Sequence, residues 1–75
     1  MKIAVRLFAG LRERAGTRTI EVELPEGATA ADVWPALALG DEPRGLLLAI
    51  NRSYAQRETT LADGDEIALI PPVSG

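Results

Sequence analysis

The feature that most constrains this chain is a short apolar strand that runs directly into two prolines near the end of the sequence. Residues 66–70 read Glu-Ile-Ala-Leu-Ile, and Pro71 and Pro72 follow without a break. Proline has no N–H to donate to a sheet and holds φ at about −65°, so the sheet has to stop at residue 70 and the chain has to leave it extended. The sequence therefore predicts a folded domain over residues 1–70 and an extended C-terminal segment over residues 71–75, which we call the tail.

The tail becomes narrower toward its last residue. Val73, Ser74 and Gly75 decrease in side-chain size after the proline pair. Five extended residues span roughly 17 Å at about 3.3–3.6 Å per residue, and the last of them would present a free carboxylate. Most chain ends are only frayed. A stiff base and a thin tip instead favour a segment that enters a narrow channel in another protein.

Composition excludes most forms of catalysis. The chain has 75 residues, which predicts one domain, and it contains no cysteine and no histidine. It therefore has no disulfide, no thiolate nucleophile and none of the imidazoles that most often serve as general bases or metal ligands. The acidic turn around Gly64 lacks the twelve-residue spacing of a calcium loop. We expect a protein that is not itself an enzyme and that holds neither a metal nor a cofactor.

Charge and hydropathy argue against two further classes of protein. The net charge of −3 and the isoelectric point near 4.8 disfavour binding to a nucleic-acid backbone and favour a basic surface on a protein partner. The sequence contains no apolar run of membrane-spanning length, and residues 1–6 alternate like a strand rather than like a signal peptide. We therefore expect a cytoplasmic protein that binds neither nucleic acid nor a membrane.

Apolar patterning predicts five strands of different lengths. Period-two alternation, or a continuous apolar run of strand length, occurs over residues 2–8, 17–24, 46–50 and 66–70, with a short strand-like piece beginning at 54. In the first strand Ile3, Val5 and Leu7 face the core. Residues 9–16, between the first two strands, form either a short helical turn or a long hairpin loop.

One main helix is predicted at about residues 30–39. Thr29 is suited to its N-cap, and four residues have the spacing of an apolar helix face: Ala30, Val33, Trp34 and Leu37. Pro35 predicts a kink, and Gly40 is suited to the position that ends the helix. The resulting element order is typical of the β-grasp architecture of ubiquitin. This is an α+β fold with a mixed sheet of four to five strands and one main helix packed on one face.

The strand pattern also predicts an apolar patch on the face of the sheet that points away from the core. If Ile67 and Leu69 face the core, Ala68 and Ile70 face away from it, and Phe8 takes the same outward parity at the end of the first strand. Tyr54 joins them from the short strand. A contiguous apolar patch usually marks a partner site. The alternative is that Phe8 and Ile70 only stabilise the sheet as cross-strand neighbours.

Four stretches of the sequence resemble one known family. They are Leu-Phe-Ala at 7–9, Ala-Ile-Asn-Arg-Ser-Tyr at 49–54, Leu-Ala-Asp-Gly-Asp-Glu-Ile at 61–67 and Ile-Pro-Pro-Val-Ser-Gly at 70–75. Together they resemble the small subunit of molybdopterin synthase, a family of ubiquitin-like sulfur carriers, over essentially the whole chain. The Pro-Pro-Val-Ser-Gly segment is the most specific of the four, since Asp-Gly-Asp turns occur in many β-grasp domains.

The resemblance implies a function for the tail. In this family an E1-like adenylating enzyme uses ATP to activate the C-terminal carboxylate, and a sulfur donor converts the acyl-adenylate into a thiocarboxylate. The tail then enters the active site of the large subunit, where the sulfur passes to a pterin precursor and forms one half of its dithiolene. Two small subunits are expected on a dimer of large subunits, a heterotetramer, and the activating partner consumes the ATP.

The resemblance also assigns residues to these steps. It implies that four tail residues enter the partner's active site: Pro71, Pro72, Val73 and Ser74. It also implies that Phe8, Tyr54 and Ile70 dock on the large subunit. The family pattern ends in two glycines, and Gly75 stands at the first of them. Either a second glycine follows Gly75, or Gly75 itself carries the sulfur as adenylate and thiocarboxylate.

Three other functions are open from the sequence. Related ubiquitin-like carriers supply sulfur for thiamine or for tRNA thiolation, and they share the fold and the tail chemistry but less of the Pro-Pro-Val-Ser segment. The second function is that of a protein modifier attached to target lysines through its C-terminus. Lys2 is the only lysine in the chain, so it is the only acceptor for lysine-linked polymers of the modifier. An inert interaction module is the third, and it would keep its activity after deletion of Ser74 and Gly75.

Overall fold

The structure of this chain is a computed structural model that describes residues 1–72. Within that range it contains a five-stranded sheet and two short α-helices. The strands are β1 (Lys2–Leu7), β2 (Thr19–Glu23), β3 (Leu47–Ile50), β4 (Ser53–Ala55) and β5 (Glu66–Ile70), and the helices are α1 (Gly10–Ala15) and α2 (Val33–Leu37). No helix of residues 1–72 has the length and the hydropathy needed to cross a bilayer.

The sheet is mixed, with its two terminal strands side by side at the centre. The strand order is β2-β1-β5-β3-β4. β1 and β5 are parallel, with Val5 opposite Ile67 and Leu7 opposite Leu69, and every other neighbouring pair is antiparallel. This is the β-grasp architecture that the element order predicts, so the predicted fold class is confirmed.

The core lies between one face of the sheet and the helices. Alternate residues of the central strands point into it: Ile3, Val5 and Leu7 from β1, and Ile67 and Leu69 from β5, are all 3% exposed or less. Val33, Trp34 and Leu37 of α2 cover them and are buried as well. Burying each side chain of this size contributes about 1.5–3 kcal/mol relative to exposure. The inward-facing residues of β1 and β5 are those predicted, and their burial against α2 stabilises the packing of the helix on the sheet.

The main helix is shorter than predicted. A 3₁₀ turn, Ala30–Asp32, precedes α2, which ends at Leu37 rather than near residue 39, and Ala38 takes the left-handed position predicted for Gly40, with φ 54°. The start agrees with the prediction, because the Thr29 N–H donates to Asp32 Oδ2 at 2.8 Å. Pro35 does not kink α2, because the helix restarts at Val33 and leaves Pro35 in its first turn, where no N–H is needed.

The connection from α2 to β3 is held by side chains from both helices. Three successive carbonyls accept hydrogen bonds: those of Leu39 and Asp41 from Arg14 Nη1, at 3.1 and 3.0 Å, and that of Gly40 from Trp34 Nε1, at 2.9 Å. The next residue, Glu42, accepts two hydrogen bonds from the Arg57 guanidinium, at 2.5 and 2.9 Å. Four consecutive positions of an otherwise irregular loop are therefore fixed to the body of the domain.

The first two residues of the tail lie against this connection. β5 ends at Ile70, where the sequence predicts that the sheet must stop, and Pro71 is half-buried while Pro72 is exposed. A Cβ built on Gly45 would lie 3.5 Å from both Cβ and Cγ of Pro72, and Gly45 has φ +73°. The Pro72 ring therefore rests on the open side of Gly45. The predictions for Val73, Ser74 and Gly75 lie outside the described residues.

We predict that the Glu42–Arg57 pair makes the stability of the domain depend on pH in the acid range. The hydrogen bonds and charge of Arg57 hold the pKa of Glu42 below its ordinary value. A carboxyl group whose pKa is lower in the folded state stabilises the fold above its unfolded-state pKa, of about 4.3, and this contribution is lost as the pH falls through the folded-state pKa. Glu42→Gln should therefore lose less stability than the wild type between pH 6 and pH 3 in urea titrations.

The effect of this exposed pair should be small, so a matched variant is needed. Glu26 is an exposed glutamate that forms no salt bridge among residues 1–72. Glu26→Gln should retain the full pH dependence of the wild type. An identical pH dependence in wild type and Glu42→Gln would show that the pair contributes nothing.

We also predict that Gly45→Asn displaces the base of the tail. Asparagine tolerates a left-handed backbone, so the substitution itself should cost at most about 1–2 kcal/mol, but its side chain extends beyond Cβ into the space of the Pro72 ring. Nuclear Overhauser effects between residue 45 and Pro72 should be present in the wild type and lost in the variant. Gly16→Asn is the control, because Gly16 has φ +76° and nothing within 4 Å of its Cβ position. Retention of the contact in Gly45→Asn would contradict the prediction.

Candidate docking face and tail base

The face of the sheet opposite the core, which we call the outer face, has a polar half and an apolar half. In the polar half Lys2 lies opposite Glu23, and Ala4 lies between Glu21 and Glu66. One row further along the strands, Ala68 lies between Arg6 and Ala49, and in the next row Ile70 of β5 lies opposite Leu47 of β3. The outer face thus becomes apolar toward the end of β5, which is the edge from which the tail leaves.

The apolar half contains a hollow of about 260 Å³, which we call the outer hollow. The small side chains of Ala49 and Ala68, adjacent on β3 and β5, form its floor. Its other lining residues are larger: Arg6, Phe8, Arg52, Tyr54, Glu66 and Ile70. Ala49 is 8% exposed although it is not part of the core cluster, so its outer-face neighbours are what cover it.

All three residues predicted to dock on a partner line this hollow. Phe8 and Ile70 are half-buried, and Tyr54 is 77% exposed. Leu47, which also has outward parity, is 47% exposed beside Ile70. Within residues 1–72, Tyr54 and Leu47 are the large apolar side chains that remain most exposed. The fold brings the predicted residues together, and the patch that they form is of the kind that usually marks an interaction site.

The sequence prediction missed the charged residues of the hollow. Arg6 forms a salt bridge with Glu66 at 3.7 Å, and its guanidinium carbon lies 5.4 Å from the centre of the Phe8 ring. A cation over an aromatic face is attracted by the ring quadrupole, so Arg6 helps to hold Phe8 at the edge of the hollow. The period-two pattern of β1 places Arg6 on the same face as Phe8, which is the signal from which its position could have been predicted.

The base of the tail starts at the rim of the outer hollow. Ile70 lines the hollow and is the last residue of β5, and Pro71 follows at once. The contact between Pro72 and Gly45 then places the described part of the tail beside the connection that precedes β3. A partner that covers the outer hollow would therefore also meet the segment that leads to the C-terminus.

The outer hollow has few charged side chains. The outer hollow contains two arginines and one glutamate, and the chain has no cysteine or histidine to supply a nucleophile or a base. Residues 1–72 contain no cluster of three or more side chains that could hold a metal ion. Glu42, whose pKa is lowered by Arg57, and Arg57, whose pKa is raised by Glu42, do not line the outer hollow.

Comparisons with known proteins identify the family of this chain. The family model described as ThiS family matches residues 5–75. The molybdopterin synthase sulfur carrier subunit of Chlamydomonas reinhardtii is 38% identical over 82 residues, covering 100% of this chain and 99% of that protein.

Two solved structures show the same fold. The crystal structure of SAMP1 from Haloferax volcanii has a TM-score of 0.85 at 33% identity, covering 100% of this chain and 99% of that one. Subunits 1 and 2 of molybdopterin-converting factor from Helicobacter pylori have been solved as a protein–protein complex, and a chain of that complex matches with a TM-score of 0.68 at 25% identity, covering 100% of this chain and 99% of that one. With its full length covered by relatives and its fold shared with them, this chain belongs to the ThiS family, alongside the sulfur carrier subunits of molybdopterin synthase.

Proposed function

We propose that this chain is the sulfur carrier subunit of molybdopterin synthase and that it carries sulfur at the C-terminus of its tail. The observation that carries the proposal is the position of the tail base at the rim of the outer hollow, in a chain that matches sulfur carrier subunits along its full length. A surface for docking and a narrow segment for delivery lie side by side. That combination serves a protein whose reactive end is used in another protein's active site.

The composition supports a sulfur carrier of this chemical type. Without cysteine the chain has no thiol on which to hold a persulfide, and a C-terminal carboxylate is the group left for the task. A carboxylate is a poor electrophile, so its oxygen first attacks the α-phosphorus of ATP and pyrophosphate leaves. A donor of sulfur at the sulfide level then attacks the acyl carbon, AMP leaves with one of the original oxygens, and a thiocarboxylate remains.

The next steps take place on the partner. The sulfur of the thiocarboxylate attacks a carbon of a pterin precursor, and an oxygen substituent leaves that carbon as the carbon–sulfur bond forms. Water then attacks the acyl carbon and breaks its bond to sulfur, so that the precursor keeps the sulfur and the carboxylate is regenerated. Pro71 and Pro72 limit the freedom that the tail loses when it enters the partner's active site. Val73 and Ser74 would lie within that site, and Gly75, or a glycine that follows it, carries the reacting group because glycine permits close backbone approach.

The partner in this proposal is the large subunit of molybdopterin synthase, which supplies the catalytic groups. The related complex of subunits 1 and 2 from Helicobacter pylori supports a two-subunit assembly. Phe8, Tyr54 and Ile70 are the docking residues, since all three line the outer hollow next to the tail base. Two copies of this chain on a dimer of large subunits complete the assembly. Before docking, an E1-like enzyme and a sulfur donor act on the C-terminus of this chain.

A second candidate function is attachment to other proteins through the C-terminus. It is favoured by one observation, the close structural match to SAMP1 of Haloferax volcanii, a small archaeal modifier protein. Both functions begin with an activated C-terminus, and they differ in the acceptor. A carrier ends as a thiocarboxylate and returns to a carboxylate, whereas a modifier ends in a covalent bond to a protein amine.

The proposed function predicts a specific change in mass. After incubation of the complete chain with ATP, its adenylating enzyme and a sulfur donor, intact-protein mass spectrometry should show the replacement of one oxygen by one sulfur at the C-terminus. The change should disappear on addition of the large subunit and a pterin precursor. Protein conjugates in place of the exchange would favour the modifier function. An unchanged mass would remove the carrier function.

The docking face predicts the effect of a single charge. Phe8→Arg should weaken binding to the large subunit by tenfold or more, roughly 1.4 kcal/mol or above, because an apolar side chain at the edge of the hollow is replaced by a charged one. Phe8 lies outside the core cluster, so the free energy of unfolding should change by about 1 kcal/mol or less. Calorimetric titration and urea unfolding measure the two effects separately.

Ala36→Arg is the matched control for this variant. Ala36 is exposed on α2, on the opposite side of the sheet from the outer hollow, and its substitution adds the same charge. It should leave the affinity for the large subunit within about twofold of the wild type. Loss of the fold in Phe8→Arg would show that Phe8 belongs to the core and that the apolar patch is misread. Equal weakening by Ala36→Arg would show that the loss of affinity is not specific to the outer hollow.

A further inference from the structure

The basic residues of this acidic chain are gathered around Phe8. A second hollow adjoins the outer hollow and shares Arg6 and Phe8 with it, and its remaining lining residues are Leu7, Arg12, Arg18 and Thr19. The two hollows together are lined by four arginines, at positions 6, 12, 18 and 52, out of eight basic residues in the whole chain. They come from β1, α1, the turn before β2 and the turn between β3 and β4.

The acidic residues are almost absent from this region. The chain has eleven aspartates and glutamates, and of these only Glu66 lines either hollow, where it is paired with Arg6. Arg12, Arg18 and Arg52 are exposed, and none of them forms a salt bridge with a residue of the described range, 1–72. The region around Phe8 is therefore positively charged although the chain as a whole carries a net charge of −3.

Local charge governs association more than net charge does. Under physiological conditions exposed charges are screened beyond about 8 Å, so a docking surface responds mainly to the charges in and around it. Complementary charges at the rim of an interface accelerate association and exclude partners of the wrong sign. The expectation of a basic partner, which follows from the net charge, therefore does not hold for this face.

We propose that the large-subunit surface that docks here is an apolar projection flanked by carboxylates on both sides. The proposal rests on the function proposed above and specifies the chemistry of its partner. The alanine floor and the apolar walls at Phe8, Tyr54 and Ile70 receive the projection. Arg52 lies on one side of it, and Arg12 and Arg18 lie on the other, beyond Phe8. Each side thus offers at least one guanidinium group to a carboxylate.

The hollow distinguishes this partner from a polyphosphate or a nucleic acid. Four arginines alone would suit a phosphate backbone. A phosphate backbone, however, would leave the apolar floor and the exposed Tyr54 ring without contacts, whereas a protein surface with an apolar centre and an acidic rim covers both. The arrangement of an apolar centre with a charged rim is the usual anatomy of a protein–protein interface.

The test is the rate of association with the chain's cognate large subunit, measured by stopped-flow fluorescence. Raising the salt concentration from about 0.05 to 0.5 M should slow association of the wild type by roughly tenfold, because steering by opposite charges is screened. Arg18→Glu and Arg52→Glu should each slow it by roughly three- to tenfold at low salt, with a smaller effect at high salt.

Arg44→Glu is the matched control. Arg44 is exposed and lines neither hollow, and its reversal changes the net charge of the chain by the same amount. It should change the association rate by less than about twofold. Equal slowing by Arg44→Glu would mean that net charge, rather than the rim, is responsible, and would overturn the proposal.

Faster association of Arg18→Glu or Arg52→Glu would also overturn it, because the partner would then be basic. Neutral variants, Arg18→Gln and Arg52→Gln, should give about half the effect on a logarithmic scale, and circular dichroism confirms that each variant is folded. The salt dependence of the wild type needs no variant at all. If the wild type does not bind the large subunit, the proposed function fails; if it binds at a rate that is insensitive to salt and to charge at positions 18 and 52, only this inference fails.

Discussion

The parallel pairing of β1 with β5 is the constraint on which the rest of this structure depends. It joins the first strand of the chain to the last, and its register places Leu7 opposite Leu69. Two strands that run in the same direction in this register also end at the same edge of the sheet. Phe8, which follows β1, and Ile70, which ends β5, therefore lie at one edge and line one hollow. The docking face and the exit of the tail are consequences of a single strand pairing.

The same pairing explains why the core can be small and still position the tail. The inward residues of β1 and β5 are almost completely buried, and α2 covers them. The outward residues of the same strands change in polarity along the sheet, from Lys2 and Glu66 at one end to Phe8 and Ile70 at the other. Because side chains alternate between the two faces of a strand, one face of the sheet can pack against the core while the other is exposed to partners.

Much of this arrangement can be predicted from the sequence, and the remainder has physical causes. Alternation predicts which residues of β1 and β5 face inward, because a period of two follows directly from strand geometry. It also predicts the end of β5, because proline cannot donate to a sheet. The bounds of α2 were less accurate, because the tertiary contacts of residues 39–41 with Arg14 and Trp34 decide where that helix gives way to a loop. Strand order likewise depends on long-range contacts that local pattern does not contain.

Charge was the property that the sequence predicted least well. Arginines at positions 6, 12, 18 and 52 are dispersed along the chain, and only the fold brings them around one aromatic ring. Net charge and composition are sums over the chain, so they contain no information about where its positive and negative charges lie on the surface.

Several acidic residues of this chain stabilise its turns and connections. The carboxylate of Asp63 accepts a hydrogen bond from the Lys2 N–H at 2.7 Å, and that of Asp65 accepts one from the Ala62 N–H at 2.8 Å. Asp32 accepts one from the Thr29 N–H, and Glu42 is paired with Arg57. These acids satisfy turns and connections that have few other partners. Four of the eleven acidic residues thus help to build loops of this chain, whereas Arg12, Arg18 and Arg52 around Phe8 form no salt bridge within residues 1–72. A surface whose charges are not needed by the fold is the surface on which a partner can act without competing with stability.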